Sequence, residues 1–323
     1  MIILPDDIPI ALGNGWAMIH RDCIEVLSHL GDASCDHMIT DPPYEDAAHT
    51  KQRRVRSKAA GAKGKDLDVV SISFPPIDEA TREGVIEQTG RLVKRWILIF
   101  CQAEGAHKWA IWGGVHGLKH VRVAAWVKPD GSPQLTGDRP AQGYEAIEIM
   151  HPRGRTRWNA GGKRGVYTVN TRWRPENASS YKRGGREGAD DHDTTKPITL
   201  MLDLVRDFTD EGEIILDPFA GSGTTGVAAI RLGRRFIGIE RDEKSFRLAV
   251  DRLRAEEVES TLAARRANQL TLFAHKEKPD HDDQRNDDDG QRLRIADGRA
   301  TTGERSKGRP RVSTQRPRAP FHA

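Results

Sequence analysis

Asp41, Pro42, Pro43 and Tyr44 stand together directly after a short apolar run. An acid, two rings without a backbone donor and a flat aromatic suit chemistry on a poor nucleophile. The exocyclic amine of adenine or cytosine is such a nucleophile, because its lone pair is delocalised into the base ring. Two acceptors on its N–H groups would draw the nitrogen towards tetrahedral geometry and localise that pair. The Asp41 carboxylate and the Pro42 carbonyl are spaced to be those acceptors, and the prolines fix the carbonyl direction. Tyr44 offers a face on which a flipped base stacks, worth about 1–3 kcal/mol. Such catalysis rests on orientation rather than on a general base of unusual pKa. The same tetrapeptide also reads as a proline-rich turn, and alone it does not choose.

A second stretch, Glu213 to Asp242, reads strand, glycine turn, helix, strand. Gly221, Gly223 and Gly226 satisfy G-x-G-x-x-G, in which glycines let the backbone turn sharply and approach a ligand at a helix N-terminus. Glu240 closes the following strand, where a carboxylate accepts two hydrogen bonds from a ribose diol. The pattern indicates a nucleoside cofactor. GSGTTG lacks the Lys-Ser/Thr pair of a phosphate-binding P-loop, whereas NAD fits the glycines. Asp217, just before the turn, would repel a pyrophosphate and favours a cationic ligand such as S-adenosylmethionine (AdoMet), with its sulfonium and amine. Asp217 is equally a cap on the turn. If strands 36–40 and 213–217 lie side by side, both motifs face one pocket beyond the carboxyl ends of the sheet.

The elements that would position these residues follow from periodicity. Residues 96–101, 121–129 and 144–152 read as strands, 80–95 as a helix, and 197–209 as an amphipathic helix with Pro197 in its first turn. A helix over 224–233 stops at Gly233, and a long helix follows Glu240. Residues 51–65 hold seven Lys or Arg and no acid, which predicts a mobile basic loop over 45–66. Residues 151–188 hold ten Lys or Arg against two acids, with Trp158, Tyr167 and Trp173 interleaved. That composition predicts a DNA-recognition insertion over about 151–190, since Arg reads guanine edges and Asn reads adenine. Residues 1–273 form one catalytic domain in this reading, and the charged tail 274–323 is expected to be disordered.

Net charge is +4 and pI about 9.0, which permits a nucleic-acid partner without requiring one. The three cysteines show no metal or disulfide spacing, so a reducing compartment and no metal are expected. The absence of any run of eighteen apolar residues and of a basic leader predicts a soluble cytoplasmic protein, of a prokaryotic cell or phage-infected host.

Taken together, the motifs resemble those of the AdoMet-dependent, amino-methylating DNA methyltransferases, in the circularly permuted beta subclass. DPPY (41–44) resembles the catalytic motif, DPFAGSGTT (217–225) the cofactor loop, GIERD (238–242) the ribose acid, and HDTTKP (192–197) the element that precedes the loop. HRDCIEVLSHL resembles a segment whose Asp, here Asp22, contacts the cofactor adenine, although Arg21 stands where the family has glycine. The resemblance covers roughly residues 14–44 and 190–250. It implies an α/β, Rossmann-like fold: a mostly parallel seven-stranded sheet, one strand antiparallel, with helices on both faces. It implies Asp41, Pro42, Pro43 and Tyr44 as catalytic residues. It also implies that Asp22, Cys23, Asp217, Phe219, Gly221, Gly223, Thr224, Thr225, Glu240 and Arg241 surround AdoMet, with Thr194 and Lys196 at its methionine end.

The implied reaction is methylation of double-stranded DNA after base flipping. In the family an Asp at the first motif position mostly accompanies adenine N6, and Ser cytosine N4, so adenine is the expected base. A cytosine-N4 or RNA methyltransferase, and a catalytically silent DNA- or clamp-binding relative, remain alternatives. An NAD dehydrogenase leaves DPPY and HDTTKP unused. A restriction–modification enzyme and a stand-alone one read alike. Gln269–Phe273 (QLTLF) resembles a peptide that docks in bacterial sliding clamps, KGRPR (307–311) resembles an AT-hook core, and a homodimer is a further expectation.

Overall fold

The computed structural model describes residues 5, 8–44, 53–55, 68–70, 76–131, 137–138, 140–171 and 195–274. The folded unit is Met1–Ala274. Its sheet has nine strands, where seven were expected: β1 (Ile10–Gly13), β2 (Trp16–His20), β3 (His37–Thr40), β6 (Ile97–Cys101), β7 (Leu118–Val127), β8 (Tyr144–Pro152), β9 (Val166–Thr168), β10 (Ile214–Asp217) and β11 (Arg235–Glu240), in the order β1-β2-β11-β10-β3-β6-β8-β7-β9. The seven strands from β2 to β7 contain one antiparallel member, β8, as expected. The count differs because β1 and β9 extend the two edges. Asn14-Gly15 turns β1 back on β2, with Gly15 at φ 85°, the conformation such a turn demands.

Alternation along β6 shows how the sheet is covered. Leu98 and Phe100 join a core layer with Trp126, Ile147, Leu200, Leu204 and Phe208. Ile97, Ile99 and Cys101 face the other layer, with Met38, Val26, Leu27, Val85 and Ile86. The helix over Ile198–Phe208 (α4) buries Leu200, Met201, Leu204, Val205 and Phe208, a stripe at helical spacing. Each such side chain contributes about 1.5–3 kcal/mol by leaving water. Pro197 is its N-cap rather than a residue of its first turn. On the other face lie α1 (Cys23–His29), α2 (Glu79–Leu92) and α3 (Ala106–Val115).

The connections place the switch point. From β10 the chain runs through α5 (Thr224–Arg231) to β11 on one side, and from β3 through α2 to β6 on the other. β3 and β10 are adjacent and parallel, with Ile215 opposite His37 and Leu216 opposite Met38. A crevice therefore opens beyond their carboxyl ends.

Three expectations change. The basic segment is not loop throughout: Arg53–Val55 (β4) pairs antiparallel with Asp68–Val70 (β5). Two aromatics assigned to recognition belong to the core: Tyr167 is 2% exposed, its hydroxyl donating to Asp207 Oδ2 at 2.8 Å, and Trp158 meets Phe208 edge-on at 4.7 Å. The last helix, α6 (Glu243–Ala274), carries its backbone through residues 269–273, so the QLTLF pentapeptide is helical. Trp173, residues 174–190 and the tail lie outside the described residues. None of the described helices is long and apolar enough to cross a membrane.

Candidate active site

Asp41, Pro42, Pro43 and Tyr44 follow β3 directly, and Asp217 ends β10 beside it. Thr40 joins the two motifs: its hydroxyl donates to Asp217 Oδ1 at 2.6 Å. The side-by-side arrangement expected of the strands is therefore present.

On the β3 side, five polar groups from four segments meet. Lys196 Nζ is ion-paired with Asp41 Oδ2, lies 3.3 Å from Glu145 Oε2 and donates to Tyr44 Oη at 3.3 Å. Tyr44 donates its hydroxyl to Glu145 Oε2 at 2.7 Å, and Lys128 Nζ is paired with Glu145 Oε1. Aromatic faces enclose this cluster, with Lys196 Nζ 5.1 Å from the Phe100 ring and Lys128 Nζ 4.4 Å from the Trp126 ring. Asp41 Oδ1 is buried and has no hydrogen-bond partner among the described residues. A buried carboxylate oxygen without a donor is costly, and such an oxygen is an acceptor waiting for an N–H.

Electrostatics follow from burial and pairing. Burial raises the Asp41 carboxyl above its ordinary range, and the Glu145 charge adds to that against the pull of Lys196. Burial would also raise Glu145, but Lys196 and Lys128 outweigh it and hold that carboxyl at about 2. Burial lowers Lys196, and Asp41 and Glu145 more than restore it, so the ammonium is held charged. Burial pushes the Tyr44 phenol well up, so it remains a donor.

On the β10 side, the glycine turn is built for close approach. Gly221 and Gly223 have φ 52° and 79°, which side-chain-bearing residues rarely adopt. A Cβ on Gly223 would lie 2.9 Å from Ala249 Cβ, and one on Gly226 2.6 Å from the Phe236 ring. A Cβ on Gly221 would meet nothing within 4 Å, so that glycine borders open space. Glu240 Oε2 accepts the Gly221 N–H at 2.7 Å and Oε1 the Asp242 N–H at 2.8 Å, which ties the turn to β11. Arg252 Nη1 donates to Ser222 O at 2.7 Å and to Thr224 Oγ1 at 3.1 Å, clasping the turn from α6.

The structure sorts the remaining expectations. Asp217 is a turn organiser: beside Thr40, its Oδ1 accepts the Phe219 N–H at 3.1 Å and its Oδ2 the Thr225 hydroxyl at 2.7 Å. Burial pushes its carboxyl up to about 6. Thr225 is thus committed to Asp217, and Thr224 to Arg252. Asp22 caps α1 by accepting the Ile24 N–H at 2.9 Å, at the β2 end whose His20 lies opposite Glu240. Cys23 is a core residue whose buried thiol is pushed up to about 12. Arg241 is exposed, and its carbonyl meets His20 Nε2 at 3.1 Å. Lys196, expected at the methionine end of a cofactor, has its Nζ on Asp41. Thr194 lies outside the described residues, and Thr195 Oγ1 is 3.4 Å from Ser222 Oγ.

Glu145, Lys128, Thr40 and Arg252 were not singled out in the sequence. For the first two a signal existed. Lys128, one residue past β7, continues the alternation of Ala124 and Trp126, as Glu145, Ile147 and Ile149 share one face of β8, and an acid and a base in step with inward positions of neighbouring strands predict a buried pair.

Comparison with known proteins agrees with this geometry. A family model for N6/N4 methyltransferases, described as DNA methylase, matches residues 35–251. Type II methyltransferase M2.DpnII of Streptococcus pneumoniae is 27% identical over 274 residues, which cover 75% of this chain and 91% of that protein. Type II methyltransferase M2.LlaDCHI of Lactococcus lactis subsp. cremoris is 25% identical, covering 73% and 88%. Among solved structures, the PvuII DNA methyltransferase, cytosine-N4-specific, superposes with a TM-score of 0.55 at 14% identity, covering 74% of this chain and 86% of that one. The M1.HpyAVI–SAM complex superposes with a TM-score of 0.52 at 24% identity, covering 73% and 98%. These two share the fold. The matched span holds both motifs and about two thirds of the residues, and the chain belongs to the N6/N4 DNA methylase family.

Proposed function

We propose that this chain transfers a methyl group from AdoMet to the N6 amino group of a flipped adenine in double-stranded DNA. The observation that carries the reading is the buried Oδ1 of Asp41, without a partner among the described residues, just past the strand whose Thr40 bonds Asp217 before the glycine turn. Gly221, Gly223 and Glu240 would hold AdoMet, with Asp22 at its adenine end and the Asp217 charge behind the turn. Bound there, AdoMet supplies an electrophilic methyl group. Tyr44 stacks the flipped base, and Asp41 Oδ1 and the Pro42 carbonyl accept from its amine, turning the nitrogen lone pair out of the ring. Lys196 holds Oδ2, so a single oxygen of Asp41 is presented.

The carboxylate at the first motif position favours adenine. Cytosine N4 is the second reading, and the likeness to the PvuII enzyme favours it. The two type II relatives suggest a restriction–modification role in the cytoplasm of a prokaryotic cell. Clamp docking by Gln269–Phe273 would require the end of α6 to unwind. Retained clamp binding after Leu272→Ala plus Phe273→Ala would eliminate that idea, and sedimentation would report any homodimer.

The test is expression in a host without DNA methylation, followed by single-molecule sequencing of the plasmid. N6-methyladenine in one short motif is the expected result. N4-methylcytosine supports the second reading, and an unmodified plasmid overturns both. Asp41→Ala or Tyr44→Ala is expected to abolish methylation with AdoMet binding retained.

A further inference from the structure

Glu145 is the second residue of β8 and is buried at the Asp41 end of the sheet, opposite Trp126 of β7. It touches three of the groups around Asp41. Its Oε2 accepts from Tyr44 at 2.7 Å and lies 3.3 Å from Lys196 Nζ, while its Oε1 is paired with Lys128. Two carboxylates and two ammoniums therefore share one enclosed volume, with no net charge. Lys196 alone would have to neutralise both Asp41 and Glu145, and the second cation relieves it of one. Tyr44 is held at both ends, its hydroxyl by Glu145 and its backbone carbonyl by the Ile77 N–H at 3.3 Å.

We propose that Glu145, charge-balanced by Lys128, is a positioning residue that fixes the Tyr44 ring and the Lys196 ammonium, and so decides which oxygen of Asp41 meets the target amine. The inference rests on amine methylation at Asp41, and it holds for adenine or cytosine alike. Without the Glu145 charge, Lys196 moves wholly onto Asp41 and competes for the oxygen that the amine needs. Tyr44 also loses its charged acceptor, and the base then stacks on a ring free to tilt. Without Lys128, Glu145 draws Lys196 away from Asp41. Each single change breaks the balance, and once Glu145 is neutral the loss of Lys128 changes nothing further, because Lys128 acts through Glu145 alone.

The experiment compares Glu145→Gln, Lys128→Met and the double variant in single-turnover methylation of the plasmid-derived site, with AdoMet affinity measured separately. Each single variant is expected to lose about 10–100-fold in the methylation rate, the scale of a misplaced reacting group, with AdoMet affinity within about twofold of the parent. The double variant is expected to be no slower than Glu145→Gln alone, because Lys128 acts only through Glu145. A Glu145→Gln rate equal to the parent, or losses that simply multiply in the double variant, would overturn the proposal. Tyr44→Phe keeps the ring and cuts the same link. It serves if Glu145→Gln fails to fold, and an unchanged rate there is equally fatal.

One readout needs no turnover. With tyrosine rings labelled with carbon-13, the Tyr44 ring signal is expected to shift in Glu145→Gln at neutral pH, because its hydroxyl loses a charged acceptor. An unchanged Tyr44 signal overturns the proposal even if the parent protein methylates nothing, an outcome that by itself counts only against the proposed function.

Discussion

Replacing Asp217 by Asn separates the residue's two duties, organising a turn and carrying a charge. The side chain is 2% exposed, and its oxygens accept from Thr40, Phe219 N–H and Thr225. Asparagine preserves all three contacts: its Oδ1 accepts the first two, and its amide donates to a Thr225 hydroxyl that has turned round. The charge alone is lost. Burial pushes the Asp217 carboxyl up to about 6 from an ordinary 3.8, and the nearby Asp41 adds to it. The folded pKa is the higher one, so the native state holds the proton more tightly. The stability that this proton contributes is complete below the unfolded value and is lost as pH rises through about 6. A gap of about two decades, at about 1.4 kcal/mol each, gives about 3 kcal/mol. The variant should match the parent near pH 4 and gain up to about 3 kcal/mol above pH 7, in urea unfolding of cofactor-free protein with an unchanged slope. A difference that does not vary with pH, or a variant less stable at pH 8, refutes the reasoning. Calorimetric titration then tests the charge: AdoMet should bind more weakly to the variant, and its demethylated product, which lacks the sulfonium, should be affected less. Equal losses for both ligands would leave Asp217 a turn organiser only.

Other consequences are equally direct. Asp41 must be ionised to accept from an amine, and burial raises its pKa. Methylation should therefore rise with pH along an acid limb lying above the ordinary carboxylate range, and a rate that is flat down to about pH 4 contradicts this. Gly223→Ala meets Ala249 at 2.9 Å in a left-handed conformation. It should cost about 1–3 kcal/mol of stability and abolish AdoMet binding, both readable in one thermal-shift series. Arg252→Met frees the turn at Ser222 and Thr224, so AdoMet affinity should fall while DNA affinity holds, as filter binding would report. Lys63→Gln plus Lys65→Gln should lower the salt slope of DNA binding by about 2. An unchanged slope would remove the basic segment from the interface.

Residue chemistry that is local and specific was legible in the sequence. DPPY, the glycine turn and Glu240 announce themselves because few residue types suit those jobs, and the sheet brings them together as expected. Asp217 carries a duty that its charge did not announce: its oxygens also serve Thr40 and Thr225. The donor Thr40 sits beside Asp41, an inward polar residue whose purpose appears only once β3 lies against β10. Glu145 and Lys128 escaped because they become neighbours only through strand pairing. Composition overreached between 151 and 190, since an Arg- and Gly-rich stretch does not show which of its aromatics point inward. Tyr167 and Trp158 do.

Strand direction refines the recognition region further. β8 runs antiparallel to β6, so Pro152 leaves the sheet at the end opposite Asp41, level with Leu118. From there Asn159 donates to Thr209 O at 3.0 Å and Arg157 pairs with Asp210 at 2.9 Å, below the far end of α4. A flipped base cannot be reached from that side. β9 then climbs parallel to β7, and Thr171 meets Asp130 just past the carboxyl end of β7, its N–H donating to Oδ1 at 2.7 Å. The described chain resumes at Thr195 and Lys196, again at the catalytic end. The described chain thus stops at Thr171 and resumes at Thr195 at the carboxyl end of the parallel strands, whereas 153–161 are fastened at the opposite end. Residues 153–161 are therefore not expected to read bases, and Arg157 serves the packing below α4 instead; substitution of Arg153 and Arg155 should leave the methylated motif unchanged.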